Sequence, residues 1–206
     1  MPPAGKIQMS TPQPTTSFNF QQSLQVLLNN SRNVYTQRSV AAFDAVQANA
    51  NWTEALFTIG AGAAVAAVIS AVFHPFSFVS VLFSTFIGEF IGAFIGVGIL
   101  WAIAVYAFKG TGQFLPYMYT LSLIMAPVVA VDAILGIIPV LGTFAALLIA
   151  LFAGYMAVLA TQSVHKLSQG KAILTVVIPA VIVFVIGAIV SIVFAAFYVA
   201  LLHSAH

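Results

Sequence analysis

From Trp52 onward the chain is a succession of apolar runs separated by short polar, glycine or proline joints. Each run can be measured against the ~20 residues that one helix needs to cross ~30 Å of hydrocarbon. Five runs are long enough. The first, 55–73, opens after Asn51-Trp52-Thr53-Glu54, which reads as a helix start, and closes at the breaker His74-Pro75. The second, about 79–108, ends before the turn Lys109-Gly110-Thr111-Gly112. From Phe114 to Thr161 there is no polar break, yet one straight helix of that length would reach about 72 Å. The chain must therefore fold back, and the corner falls in Gly136-Ile137-Ile138-Pro139-Val140-Leu141-Gly142, giving spans 114–136 and 139–163. The fifth run, 172–202, carries Pro179 near its start, where a kink is expected.

The spans predict an all-α integral membrane protein of five transmembrane helices over 52–206, and the composition agrees. With 62% apolar and 5% charged residues there is no polar surface for a water-facing globule. A net charge of +2 cannot build the cationic face that nucleic-acid binding needs, so nucleic acid is excluded as the main partner. The absence of cysteine excludes thiolate nucleophiles, disulfides and Cys-based metal sites. Upstream, 1–17 is rich in Pro, Ser, Thr and Gln, lacks the apolar core of an export signal, and reads as a disordered polar tail. In 18–51, Phe20, Leu24, Leu27 and Leu28, then Val40, Phe43 and Val46, fall at helical spacing, which predicts an amphipathic cytosolic or interfacial helical segment.

Cytoplasmic loops should hold the Lys and Arg of such a protein, and all six obey one orientation. Lys6, Arg32 and Arg38 precede the first span, Lys109 lies between the second and third, and Lys166 and Lys171 lie between the fourth and fifth. The segments around His74 and Pro139 and at His203 to His206 have none. The N-terminus is therefore expected in the cytoplasm and the C-terminus outside. Trp52, Tyr106, Tyr117 and Tyr119 are expected at the inner boundary, where amphipathic rings prefer to sit.

The chain also resembles a known family. Arg38-Ser39-Val40-Ala41-Ala42-Phe43 with Asn51-Trp52, Lys109-Gly110-Thr111-Gly112-Gln113-Phe114, Ala126-Pro127, Ile137-Ile138-Pro139 with Gly142, and Val164 to Ala172 are similar in order and spacing to the Yip-domain proteins, named for interaction with Ypt/Rab-type GTPases. The resemblance covers roughly Ser39 to Ile192. It implies a five-helix membrane protein with a cytosolic N-terminus, and for eukaryotic relatives Rab binding and traffic between endoplasmic reticulum and Golgi. The short N-terminal segment departs from the eukaryotic pattern. A prokaryotic cytoplasmic membrane is the expected location, with a Rab-type GTPase as partner only in a eukaryote.

Catalytic signatures are missing. There is no His-Glu-x-x-His, no Gly-x-Ser-x-Gly and no phosphate-cradling Gly-rich loop, and no catalytic residue, cofactor or metal is expected. Gly60, Gly62 and Gly112 read as packing or turn glycines, and His165, His203 and His206 as solvated histidines. Two features rise above this background. Gly88, Gly92 and Gly96 form a small-x-x-x-small ridge suited to close helix packing, within the bundle or with a second subunit. Glu89 and Asp132 are carboxylates inside the hydrocarbon, where an ionised group costs ~2.5–3.5 kcal/mol on insertion scales. Glu89 is expected to be protonated or hydrogen-bonded across helices, and Asp132 to approach His74 near the outer face.

These features predict a non-enzymatic protein of membrane organisation, or an accessory subunit of a larger complex, with the bilayer and other membrane subunits or itself as partners. The alternative is a small proton-linked or solute-conducting protein centred on Glu89 and Asp132. The orientation is testable because the chain has no cysteine. Gly5→Cys and His206→Cys should differ in labelling by an impermeant thiol reagent on intact cells. Equal labelling would overturn five crossings.

Overall fold

A computed structural model describes residues 18–204 apart from 139, with side chains described as far as Phe197. It is all-helical over these residues. The elements are α1 (Phe20–Gln37), α2 (Val40–Gln47), α3 (Trp52–Val72), α4 (Phe78–Ala102), α5 (Phe114–Leu135), α6 (Leu141–His165) and α7 (Gln169–Ser204). A 3-10 turn, Pro75–Ser77, precedes α4, and a π-helical turn, Ile103–Ala107, prolongs it. Five of these helices, α3 to α7, are long and apolar enough to cross a membrane. The fold-back expected between Gly136 and Gly142 lies between α5 and α6. Pro139, the expected tail 1–17 and Lys6 lie outside the described residues.

Helix starts follow local chemistry. The side chains of Asn19, Ser39 and Asn51 accept from the backbone N–H groups of Gln22, Ala42 and Glu54, capping α1, α2 and α3. The ends are less ordinary. Arg38, Lys109 and Lys166 all adopt positive φ (46°, 60° and 53°), where glycine is usual, and each stops a helix. A cation at this position faces the negative end of the helix dipole, which offsets part of the backbone strain.

The centre of the bundle is the pair α3 and α5. A Cβ placed on Gly62 would lie 2.7 Å from Ala126 Cα, so only glycine lets the two backbones approach this closely. The other elements are arranged around that pair. α4 packs mainly on α3, α6 on α5, and α7 mainly on α6, leaving the length of α7 from Val181 to Phe197 exposed.

Next to Ala126, Pro127 shapes the bundle in a second way. Proline has no N–H, so the carbonyl of Leu123, four residues earlier, loses its partner in the helix. Ser31 of α1 donates to that carbonyl at 3.3 Å, and Tyr35 donates to the carbonyl of Ile124 at 2.6 Å. Asn30 donates to the Tyr119 hydroxyl at 2.7 Å. The N-terminal hairpin is thereby fastened along the first half of α5, with Leu27, Val34, Phe43 and Val46 buried beneath it. Burial pushes the Tyr35 phenol up to about 12, so it stays protonated and available as a donor.

Replacing Ser31 by Ala should leave the Leu123 carbonyl unsatisfied and destabilise the protein by ~1–3 kcal/mol. Pro127→Ala restores the missing N–H, so the same change should cost much less in that background. Thermal unfolding of the four proteins in detergent measures the cycle, and additive effects would disprove the link.

Candidate functional site

The bundle has two dissimilar ends. At one, here the basic end, lie the start of α3 and the joints α4–α5 and α6–α7; at the other, the His74 end, lie the joint α3–α4 and the corner α5–α6. Arg32, Arg38, Lys109, Lys166 and Lys171 all belong to the basic-end joints and first turns or to the hairpin docked on that half.

The basic end is a clasp. Trp101 Nε1 donates to the Gly112 carbonyl at 3.1 Å, and the Thr111 N–H donates to the His165 carbonyl at 3.2 Å. The Gly110 N–H donates to the Ala104 carbonyl, inside the π-helical turn, at 2.8 Å. A Cβ on Gly112 would come within 2.7 Å of the Val164 carbonyl, and one on Gly110 within 2.8 Å of the His165 Cβ. His165 is therefore buried, at 1% exposure, with its ring edge-on to Tyr117 at 4.6 Å. This corrects the expectation of a solvated histidine: the glycines opposite it leave a slot that only its ring fills. The side chain of His203, and His206, lie outside the described residues.

Another correction concerns the aromatic boundary. Trp52 and Tyr106 are exposed, but Tyr117 and Tyr119 are completely buried. Their hydroxyls meet Thr161 at 2.8 Å and Asn30 at 2.7 Å, so they join helices instead of facing headgroups. Asp44, Gln47 and Ser163 were not singled out in the sequence. Asp44 takes hydrogen bonds at 2.7 Å from both Ser163 and Lys166, and Gln47 also bonds Ser163, tying α2 to the end of α6.

The other notable region is a cleft. α3 forms its floor, and α4 and α5, which touch each other little, form its walls. Its deeper compartment, about 220 Å³, is lined by apolar and small residues including Gly62, Ala93, Val97, Met118 and Leu121. A second compartment of about 580 Å³ lies toward the His74 end and is lined by Ser70, His74, Thr85, Glu89 and Asp132 among others. Glu89 borders both. The two intramembrane acids and His74 are thus brought to one cavity. Of the two states expected for Glu89, protonated or hydrogen-bonded across helices, no interhelical hydrogen bond is formed among the described residues, and His74 Nδ1 bonds the Ser70 carbonyl at 2.7 Å in place of Asp132. Asp132 Oδ1 is buried without a hydrogen-bond partner. Among the described residues no group of three or more acids and histidines could hold a metal ion.

The glycine ridge is different again. Gly88, Gly92 and Gly96 are exposed, and a Cβ on any of them would meet nothing within 4 Å. Of the two contacts expected of it, within the bundle or with a second subunit, the first is not made among the described residues: Ala93 and Val97 are the more buried positions of α4, Gly92 and Gly96 border the cleft, and Gly88 lies outside it.

Compared with known proteins, residues 32–192 match the family model of the Yip1 domain. The chain belongs to the Yip1-domain family. No curated protein and no solved structure matches it. The Yip1 match starts within α1 and stops within α7, so it includes the Ser39 cap, the clasp, the Ala126-Pro127 step and the whole cleft. Of the motifs that carried the resemblance, Arg38 to Phe43, Lys109 to Phe114 and Val164 to Ala172 belong to the hairpin and the basic end, Ala126-Pro127 lies within α5, and the segment ending at Gly142 lies at the α5–α6 corner.

Desolvation alone would raise the Asp44 carboxyl, but hydrogen bonds from Lys166, Ser163 and Gln47 and the Lys166 charge hold it below its ordinary value of 3.8. A depressed value means that the interaction stabilises the fold above the ordinary value and is lost as pH falls through the folded one. The ion pair is exposed, 63% and 44% for its side chains, so its worth is under about 1 kcal/mol. Asp44→Asn should therefore lower Tm slightly at pH 7. The gap to the native chain should close below about pH 3.8, as melting across a pH series would show.

Proposed function

We propose that this Yip1-domain protein acts by helix contacts within the membrane, as a membrane-organising protein or an accessory subunit of a larger complex, with its basic end in the cytoplasm. The observation that carries this reading is the exposed ridge Gly88, Gly92 and Gly96. In lipid a glycine-lined strip gains nothing from acyl chains, whereas an opposing helix can approach it to backbone contact. Among the described residues nothing does so. The bare, apolar length of α7 adds a second intramembrane surface of the same chain. The charge distribution supports a cytoplasmic basic end, since every Lys and Arg lies at that end or upstream of it in the sequence. A Rab-type GTPase is a candidate for the clasp and hairpin only in a eukaryotic setting. The cleft offers weak support for conduction by a single copy: inward of Glu89 its lining has one hydroxyl, Ser122, and that hydroxyl donates to the Tyr119 carbonyl.

The test is purification in mild detergent, with native mass and co-purifying proteins recorded. Gly88→Leu should weaken the assembly at least tenfold, about 1.4 kcal/mol, while Val79→Leu, on an exposed position of the same helix, should not. Gly88 lines neither compartment of the cleft, so the change reads the ridge alone. Unaltered mass and partners in Gly88→Leu would remove the proposal.

A further inference from the structure

We propose that the cleft between α4 and α5 is a binding site for an amphiphile with one apolar chain and a protonated amine. Three observations converge on this ligand class. The first is shape. The 220 Å³ and 580 Å³ compartments meet at Glu89, and together they fall in the range of small-molecule sites, ~300–1,000 Å³. The deeper one is narrow because α4 and α5 both lean on α3, and small residues at Gly92, Ala93, Gly96 and Ala126 keep it open. Its apolar walls would not hold water, which needs polar partners, but they suit an alkyl chain entering from the lipid.

The second observation is polarity along the cleft. The apolar compartment lies toward the middle of the bundle and the basic end, whereas the polar one opens near His74, so an amphiphile would enter with its head at the His74 end. The third is charge. Glu89 and Asp132 face the same cavity, and no Lys or Arg lines either compartment. The ion pair among the described residues is Asp44 with Lys166, at the other end of the bundle. Buried carboxylates are stable only when paired or hydrogen-bonded, and Asp132 Oδ1 has no such partner among the described residues. An ammonium supplies both the counter-charge and the missing donors. A phosphate or carboxylate head would bring a further acidic group to a cavity that no Lys or Arg lines.

The test uses the full chain in phosphatidylcholine nanodiscs and dodecylamine carrying a diazirine near its methyl end. After irradiation, peptide mapping should place the label mainly on 92–100 of α4 and 118–125 of α5. Unlabelled dodecylamine should compete at least tenfold better than dodecanoate or dodecyl phosphate. Glu89→Gln combined with Asp132→Asn should cut labelling of these segments about tenfold without moving the diazirine signal on the exposed faces of α7. Equal competition by the anionic amphiphiles, or label spread over α6 and α7 in proportion to their exposure, would overturn the site. If the double variant does not fold, the comparison of amine with carboxylate on the native chain decides alone. Native mass of Gly88→Leu bears on the assembly reading and not on this one, so the two proposals fail separately.

Discussion

The close approach of α3 and α5 at Gly62 and Ala126 governs the rest of the bundle. Two helices that touch at the backbone leave little width for a third to contact both. α4 therefore settles on α3, and α6 on α5. The gap this leaves between α4 and α5 is the cleft. Pro127, one residue beyond the contact, strips a carbonyl of its partner, and α1 docks where Ser31 can supply it. A small residue and a proline next to each other thus determine both where the bundle opens and where its N-terminal hairpin closes it.

The two ends divide the work. At the basic end several polar groups meet across helices, Asp44 with Lys166 and Ser163, Trp101 with Gly112, and Tyr117 with Thr161, while Glu54 Oε2, Thr58 Oγ1 and both ring nitrogens of His165 are buried there without a hydrogen-bond partner among the described residues. Toward the His74 end the polar side chains line a cavity, and Asp132 keeps an oxygen without a partner among the described residues. Buried polar groups that are satisfied rigidify a structure, while those left open are expensive unless something else meets them. What separates the ends is the ties that join helices at the basic end and the polar cavity at the His74 end.

Much of this was legible in the sequence. The spans were set by the length of hydrocarbon against the length of each apolar run, and their number and order needed no tertiary information. The fold-back before Gly142 followed from the same arithmetic. Helical spacing also marked the N-terminal segment. What spacing could not give was the role of its polar residues: Asn30 and Ser31 look like a wet face until the carbonyl freed by Pro127 is brought opposite. His165 looked solvated because its burial depends on Gly110 and Gly112, more than fifty positions away in the chain. Glu89 and Asp132 stood out through their cost in lipid, but only the splay of α4 from α5 shows that they share a cavity. The glycine ridge was visible as a period of four, and its lack of a partner was not, because periodicity says which face is flat and not what lies against it.

The left-handed residues Arg38, Lys109 and Lys166 have a consequence for how such a chain evolves. Each carries one of the charges on which the expected orientation rests and also stops a helix. A mutation that moved one of these charges two positions along its loop would preserve the charge balance read by the insertion machinery, yet would place an ordinary side chain where the backbone reverses. An orientation set by these charges and the termination of these helices would then be inherited together, drift in one being restrained by the other.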